Sequence, residues 1–391
     1  MGGRTVLGAA DVSDELLATM VASSLGVGRV ELVTTEAEVF PYDLDALTTA
    51  GRFWVRGTAR VVDPGDGALP AVSTAPFAFF VKVVQSWARS PLFAMVPEPM
   101  REAALRMVPW RTEPEVYRSS LEAALPAGLR MPRALGVVDL DELSAAVWLM
   151  PVAIRSVPWD HDRHVRAARL LGRLAASPAV RPYSEAAAQQ GGRSVRDYAA
   201  GRLEHLILPA LRSDELWEHP LVSEAFRDEL RGRLRAAADA VPAYLGELDA
   251  VPLGTSHGDA CTRNLLVTDA DDGFTLIDFG FWGRSQLGAD LGQLLLGEVQ
   301  MGERPARELP ALEAACLTAY VEGLRDEGCD ADAGVVRRSH ALLMLLFSGL
   351  SAVPFEHLGR TPTAELRRLA DERARSARFI LDLVDATQPV G

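Results

Sequence analysis

Lysine is nearly missing from this 391-residue chain, with one copy among 40 Lys and Arg residues. The survivor, Lys82, stands inside the apolar run Phe77-Ala78-Phe79-Phe80-Val81-Lys82-Val83-Val84. An ammonium is a compact point charge and a guanidinium a planar fork, so a position that keeps lysine against such a bias points to a need for the point charge itself. Lys82 is therefore a candidate phosphate ligand. The competing reading is a chance lysine whose stem packs on an edge strand while its head stays wet.

Other scarcities exclude whole classes. The three cysteines, Cys261, Cys316 and Cys329, neither pair evenly nor take metal-ligand spacing, which argues against a disulfide framework and a zinc site and suits a reducing cytoplasm. No apolar stretch approaches the ~20 residues that span a bilayer, and no apolar leader follows Met1-Gly2-Gly3-Arg4. The expectation is a cytoplasmic protein with no membrane partner. Basic charge is also short: 40 Lys and Arg face 53 Asp and Glu, a net charge of -13. That balance disfavours nucleic-acid binding and would attract cationic small molecules. What remains is a chain 48% hydrophobic, able to bury a sizeable core and long enough for two lobes. Its oligomeric state is left open.

The texture of the sequence changes near Pro151, which predicts an N-terminal lobe at 1–150 and a C-terminal lobe at 151–391. Before it, period-two or apolar runs predict strands over Val30–Val39, Phe53–Val62, Pro76–Val84 and Ala145–Met150. Turn-forming residues fall between them, at Thr48-Thr49-Ala50-Gly51 and at Asp63-Pro64-Gly65-Asp66-Gly67. One helix is predicted over Arg111–Leu125, and the stretch from Gln85 to Pro109 reads as a lid or a packed insertion. After Pro151, apolar residues recur at helical spacing over Asp160–Ala176, Val195–Leu211, Leu221–Leu248, Leu309–Glu327, Gly334–Ser348 and Thr363–Ala386. The exception is a predicted β-hairpin, Asn264–Thr268 and Phe274–Ile277, around Asp269-Ala270-Asp271-Asp272-Gly273.

The chemistry brackets that hairpin. His257-Gly258-Asp259-Ala260-Cys261-Thr262-Arg263-Asn264 precedes it and Ile277-Asp278-Phe279-Gly280 closes it. A hairpin brings its outer ends together, so Asp259, Asn264 and Asp278 are expected to converge. Their types suit phosphoryl transfer: one carboxylate to orient an attacking hydroxyl and accept its proton, and an amide oxygen with a second carboxylate as hard ligands for Mg²⁺. His257, two residues before the acid, reads as a structural brace for the loop, and Asp290 as either a second brace or a plain helix N-cap.

These motifs resemble the aminoglycoside phosphotransferase family of the protein-kinase-like fold, in which His-Gly-Asp stands where protein kinases carry His-Arg-Asp. Trp110 to Ser119, Leu170 to Leu174 and Gly288 to Leu291 extend the likeness, which runs from about Leu47 to Gly297. The resemblance implies an α+β, bilobal fold with a β-rich N-lobe and a mostly helical C-lobe. It implies a Mg-dependent kinase that moves the γ-phosphoryl group of ATP or GTP to a hydroxyl of an antibiotic-like, cationic acceptor such as an aminoglycoside. The alternatives are a sugar, metabolite or peptide hydroxyl as acceptor, or a silent nucleotide-binding protein. Carried over by position, Asp259 is the catalytic carboxylate, Asn264 and Asp278 hold the metal, and Lys82 takes the nucleotide phosphates. Glu113 pairs with Lys82, with Glu115 as its competitor. No Gly-x-Gly-x-x-Gly precedes Lys82, so Thr49 and Gly51 are left to approach phosphate, and the backbone of Met150 and Val152 to meet the nucleobase.

Overall fold

The computed structural model describes residues 3–41, 46–65, 73–189, 194–268 and 272–388. The chain divides into two compact units, one of Met1–Ala123 with Arg130–Ile154 and the other of Ala124–Leu129 with Arg155–Gly391.

The first unit is built on an antiparallel sheet of β1 (Arg29–Val39), β2 (Thr49–Asp63), β3 (Thr74–Gln85), β4 (Ala134–Asp141) and β5 (Ser144–Leu149), in the order β1-β2-β3-β5-β4. Successive side chains of a strand point to opposite faces, and β3 uses both. Phe77, Phe79, Val81 and Val83 enter a core shared with Val55, Trp148 and the apolar side of α1 (Asp14–Leu25), through Leu17, Met20 and Val21. Ser13 caps α1 by accepting from the Leu16 N–H. Lys82 and Phe80 belong to the opposite set of β3 side chains. A short helix, α2 (Thr112–Arg118), packs against β4 and β5 and buries Val116 and Tyr117.

Three expectations change here. Thr49 and Gly51 do not form a turn: they open β2, opposite Val84 and Val83 of β3, at a register shift. Glycine marks bulges as well as turns, and a Cβ on Gly51 would lie 2.8 Å from the Phe53 ring. The strand β4 was not expected, because its residues are only half-buried and show no clean alternation. The segment from Gln85 to Pro109 folds into short turns, Trp87–Arg89, Pro91–Met95 and Glu98–Met100, and a helix over Arg101–Met107. Of the second expected turn, Gly65 donates its N–H to Asp63 Oδ1 at 3.0 Å, and Asp66 and Gly67 lie outside the described residues.

The second unit is helical, as expected, with α3 (His161–Ala176), α4 (Ala289–Gln300), α5 (Leu309–Asp326), α6 (Ala333–Met344) and α7 (Ala364–Ala386) at its centre. The pair α3 and α5 cross where glycines meet. A Cβ on Gly172 would lie 2.1 Å from the Tyr320 carbonyl oxygen and one on Gly323 2.0 Å from that of Arg169, so only glycine allows this approach. The helix expected over Leu221–Leu248 is broken into Pro220–Ser223, Asp228–Asp239 and Val241–Asp249. Pro242, which lacks an N–H, sits in the first turn of the last piece. Short strands interrupt the helices, among them β6 (Leu253–Ser256), β7 (Leu265–Val267), β8 (Phe274–Leu276) and β9 (Gly283–Gln286). Residues 269–271 of the predicted hairpin turn lie outside the described residues.

Candidate active site

Two nested ladders set the geometry of the second unit. In one, β7 pairs with β8, Leu265 opposite Leu276 and Val267 opposite Phe274. In the other, β6 pairs with β9, Ser256 opposite Gly283. Residues 257–264 and 277–282 are the segments that join the two ladders, so pairing at both ends holds them side by side. The Asn264 side-chain amide donates from Nδ2 to the Asp259 carbonyl at 2.9 Å and to Asp259 Oδ2 at 3.0 Å, and the Asn264 backbone carbonyl accepts from the Ile277 N–H. Burial pushes the Cys261 thiol up to about 12, and the nearby charges of Asp259 and Asp278 push in the same direction. Both carboxylates therefore lie near enough to Cys261 to raise it.

The loop is held by buried groups on its far side. Asp290, in the first turn of α4, accepts from Ser256 Oγ at 2.8 Å and from the N–H groups of His257 and Gly258, each at 2.9 Å. Its side chain reaches across to the loop and leaves the helix uncapped at Gly288, which settles the brace against the N-cap. His257 is fully buried. Its Nε2 faces the Ile277 carbonyl at 3.0 Å, and its Nδ1 accepts from the Asp259 N–H at 3.4 Å. A proton on Nε2 satisfies both contacts, leaving the ring to tie the Asp259 segment to the Asp278 segment. Phe279 packs against that ring at 5.3 Å.

Backbone conformation is equally constrained. Gly258 has φ +80°, and a Cβ there would meet the Phe281 carbonyl oxygen at 2.2 Å. Asp278 has φ 64° and ψ 62°, a left-handed conformation that no other described non-glycine residue adopts. Such a conformation costs on the order of 1–3 kcal/mol and persists where surrounding structure enforces it, commonly at functional sites.

In the first unit, Lys82 donates from Nζ to Glu113 Oε2 at 2.6 Å, with side-chain exposures of 8% and 3%. Glu115 turns away and pairs with Arg118 at 2.6 Å, a guanidinium it shares with Asp139. Removing one partner of a buried pair costs roughly 3–5 kcal/mol. On the same sheet, Phe40, Trp54 and Phe80 pack edge to face with centroids 5.4 to 6.3 Å apart. The Met150 N–H is already given to the Arg133 carbonyl at 2.9 Å, while Val152 lies beyond the last strand. Thr49 and Gly51 sit at the bulged start of β2.

Sequence reasoning missed Ser256, whose hydroxyl sits under the loop, and the outer ties of the turn Thr262–Asn264. Thr262 Oγ1 donates to Glu298 Oε1 at 3.3 Å, Arg304 holds the other oxygen of Glu298 at 2.7 Å, and Arg263 pairs with Glu303. The signal for Ser256 was its place directly before His-Gly-Asp; the Arg and Glu partners are too far along the chain to read.

The donor set suits a hard cation. Nδ2 of Asn264 is committed to Asp259, which leaves its amide oxygen, and Asp278 adds a carboxylate. Among the described residues no group of three or more His, Cys, Asp or Glu forms a metal cage. Two protein oxygens are what Mg²⁺ needs when substrate phosphates and water complete its shell.

A model of the phosphotransferase enzyme family matches residues 82–327, more than half of the chain. None of the curated proteins matches it. Among solved structures, a protein of Ralstonia eutropha, provisionally described as an aminoglycoside phosphotransferase, is 12% identical with TM-score 0.51, covering 96% of this chain and 99% of its own. A spectinomycin phosphotransferase solved with ADP and spectinomycin is 10% identical over 96% and 98% of the two chains, TM-score 0.49. An aminoglycoside phosphotransferase of Alicyclobacillus acidocaldarius is 14% identical over 79% and 87%, TM-score 0.48. The Ralstonia likeness gives the fold: α+β, kinase-like, with a β-sheet N-terminal unit and a helical C-terminal one.

Proposed function

The chain belongs to the phosphotransferase enzyme family, and from that premise we propose that it moves the γ-phosphoryl group of ATP or GTP to a hydroxyl of an antibiotic-like small molecule, with Mg²⁺. The observation that carries this reading is the convergence of Asp259, Asn264 and Asp278 between two ladders, with Asn264 bound to Asp259. In this reading residues 1–150 bind nucleotide, and residues 151–391 bind the acceptor and carry the chemistry. Lys82, aimed by Glu113, neutralises phosphate charge as a point cation. The Met150 carbonyl and the Val152 backbone meet the nucleobase, and Thr49 and Gly51 cover the phosphates from the start of β2.

Asn264 and Asp278 would hold Mg²⁺, which draws charge off the phosphates as the leaving oxygen departs. Asp259 orients the acceptor hydroxyl and receives its proton. Because the transition state of phosphoryl transfer is loose, aim matters more than basicity. The bracing of the loop by Asp290 and His257 therefore contributes directly to rate. The reaction belongs to the cytoplasm, where nucleoside triphosphates are supplied.

A nucleotide-consumption screen against hydroxylated antibiotics, sugars and acids identifies the acceptor. Titration with a non-hydrolysable nucleotide then separates the two acids. Asp278→Asn loses Mg-dependent binding, whereas Asp259→Asn keeps it and loses turnover by ~10²-fold or more. Equal loss of binding in both variants refutes the assignment, and binding without consumption of any acceptor refutes catalysis.

A further inference from the structure

The second unit carries a groove of about 710 Å³ between residues 301–307 and 357–372, and its charge runs against that of the protein as a whole. Arg307, Arg360 and Arg368 line it. All three are exposed, and no carboxylate lies within ion-pairing distance of them among the described residues. Neighbouring arginines are spent elsewhere: Arg304 on Glu298 and Glu308, Arg367 on Glu224, Arg373 on Glu356. The acids of the lining are mostly neutralised as well. Glu303 pairs with Arg263, and Glu372 pairs with Arg375 and accepts from the Ala306 N–H at 2.6 Å. Among the described residues Glu365 alone of the lining acids stands unpaired, so three free guanidiniums face one free carboxylate. The first turn of the 23-residue helix α7, capped by Thr363, forms part of the wall, and a helix N-terminus adds partial positive charge.

Two residues on one wall of this groove are tied to the catalytic loop. Glu303 holds Arg263, inside the turn that ends on Asn264, and Arg304 holds Glu298, which accepts from Thr262 of the same turn. A ligand seated here touches side chains one ion pair removed from that turn.

Resting on the phosphotransferase reading, we propose that this groove captures an anionic group, a carboxylate or phosphate, carried by the acceptor, so that the substrate is a hydroxylated acid and not a polycation. Guanidinium forks suit both anions, by paired N–H donors in a plane.

The test titrates the full chain, saturated with a non-hydrolysable nucleotide and Mg²⁺, with glycerol 3-phosphate, with glycerate and with neutral glycerol. The two anions are expected to bind and glycerol to fail. Arg360→Gln/Arg368→Gln raises both anion Kd values at least tenfold, while nucleotide binding and the melting temperature hold. No anion binding by the wild-type chain, or equal binding by the double variant, overturns the site. The acceptor found by nucleotide consumption should be an acid whose KM rises at least tenfold in the double variant at little-changed kcat. An unchanged KM despite lost anion binding makes the groove a separate effector site and overturns the assignment to the acceptor. Nucleotide consumption is measured independently, so failure of the groove leaves the phosphotransferase reading standing, and the reverse.

Discussion

Replacing Asp290 with Asn changes one atom and should cost both stability and turnover. The carboxylate is 4% exposed and accepts from Ser256 Oγ and the Gly258 N–H on one oxygen and from the His257 N–H on the other. An amide oxygen in the first position keeps two of these bonds but loses their charge assistance, which makes hydrogen bonds to ions worth about 1.5–3 kcal/mol against about 1 for neutral ones. The amide nitrogen in the second position then faces the His257 N–H, donor against donor, leaving a buried donor unmet at about 1–3 kcal/mol. The flipped amide is worse, with two donors opposed. The total is roughly 3–5 kcal/mol. For a unit of this size about 1 kcal/mol shifts Tm by 2–4 °C, so the loss should be on the order of 10 °C. Because the same bonds position Asp259, kcat should also fall by at least ~10-fold with nucleotide KM little changed. Differential scanning fluorimetry and steady-state kinetics read both. A variant within 2–3 °C of wild type and equally active would refute the role given to Asp290.

Lys82→Arg should fold, since the Glu113 carboxylate can accept a guanidinium, yet lose at least ~10-fold in kcat/KM because a fork cannot sit as a point charge on phosphate; wild-type kinetics in the purified variant would sink that role. A pH prediction concerns His340, which is fully buried with Glu313 Oε1 3.7 Å from Nε2. Burial pulls its pKa from 6.5 down to about 4. The folded chain therefore binds fewer protons than the unfolded one between about pH 4 and 6.5, and stability falls as pH drops through that window. At about 1.4 kcal/mol per pH unit, the change from pH 7 to 5 is roughly 2 kcal/mol. His340→Leu should remove that much of the difference between urea unfolding free energies at the two pH values, while His164, also lowered by burial, contributes equally in both proteins. Equal pH dependence with and without His340 would exclude it.

The residue types and order of His257-Gly258-Asp259, Asn264 and Asp278 were readable as a set of short motifs around one hairpin, and the family match extends over all of them. The strand β3 was readable because its alternation survives Lys82. The half-buried β4 and the bulge at Gly51 were not, since one lacks a dry face and the other uses a glycine for a reason that sequence does not separate from a turn. Asp290 illustrates the next level of difficulty: its partners lie 32 to 34 residues away, and nothing local distinguishes a brace from a cap.

Charge pairing is the least legible, because every arginine looks alike until its partner is placed. Arg367 meets Glu224 from 143 residues away, while Arg368, its neighbour in sequence, meets no carboxylate among the described residues. A net charge of -13 argues for a cationic acceptor because it counts every ionised residue once. A bound ligand instead responds to the charges left over after pairing within a few ångströms, since those farther off are screened beyond a Debye length of about 8 Å. In the groove the leftover charges are three arginines against one glutamate. If the groove takes the acceptor, the sign that matters for the substrate is thus opposite to the sign of the whole chain.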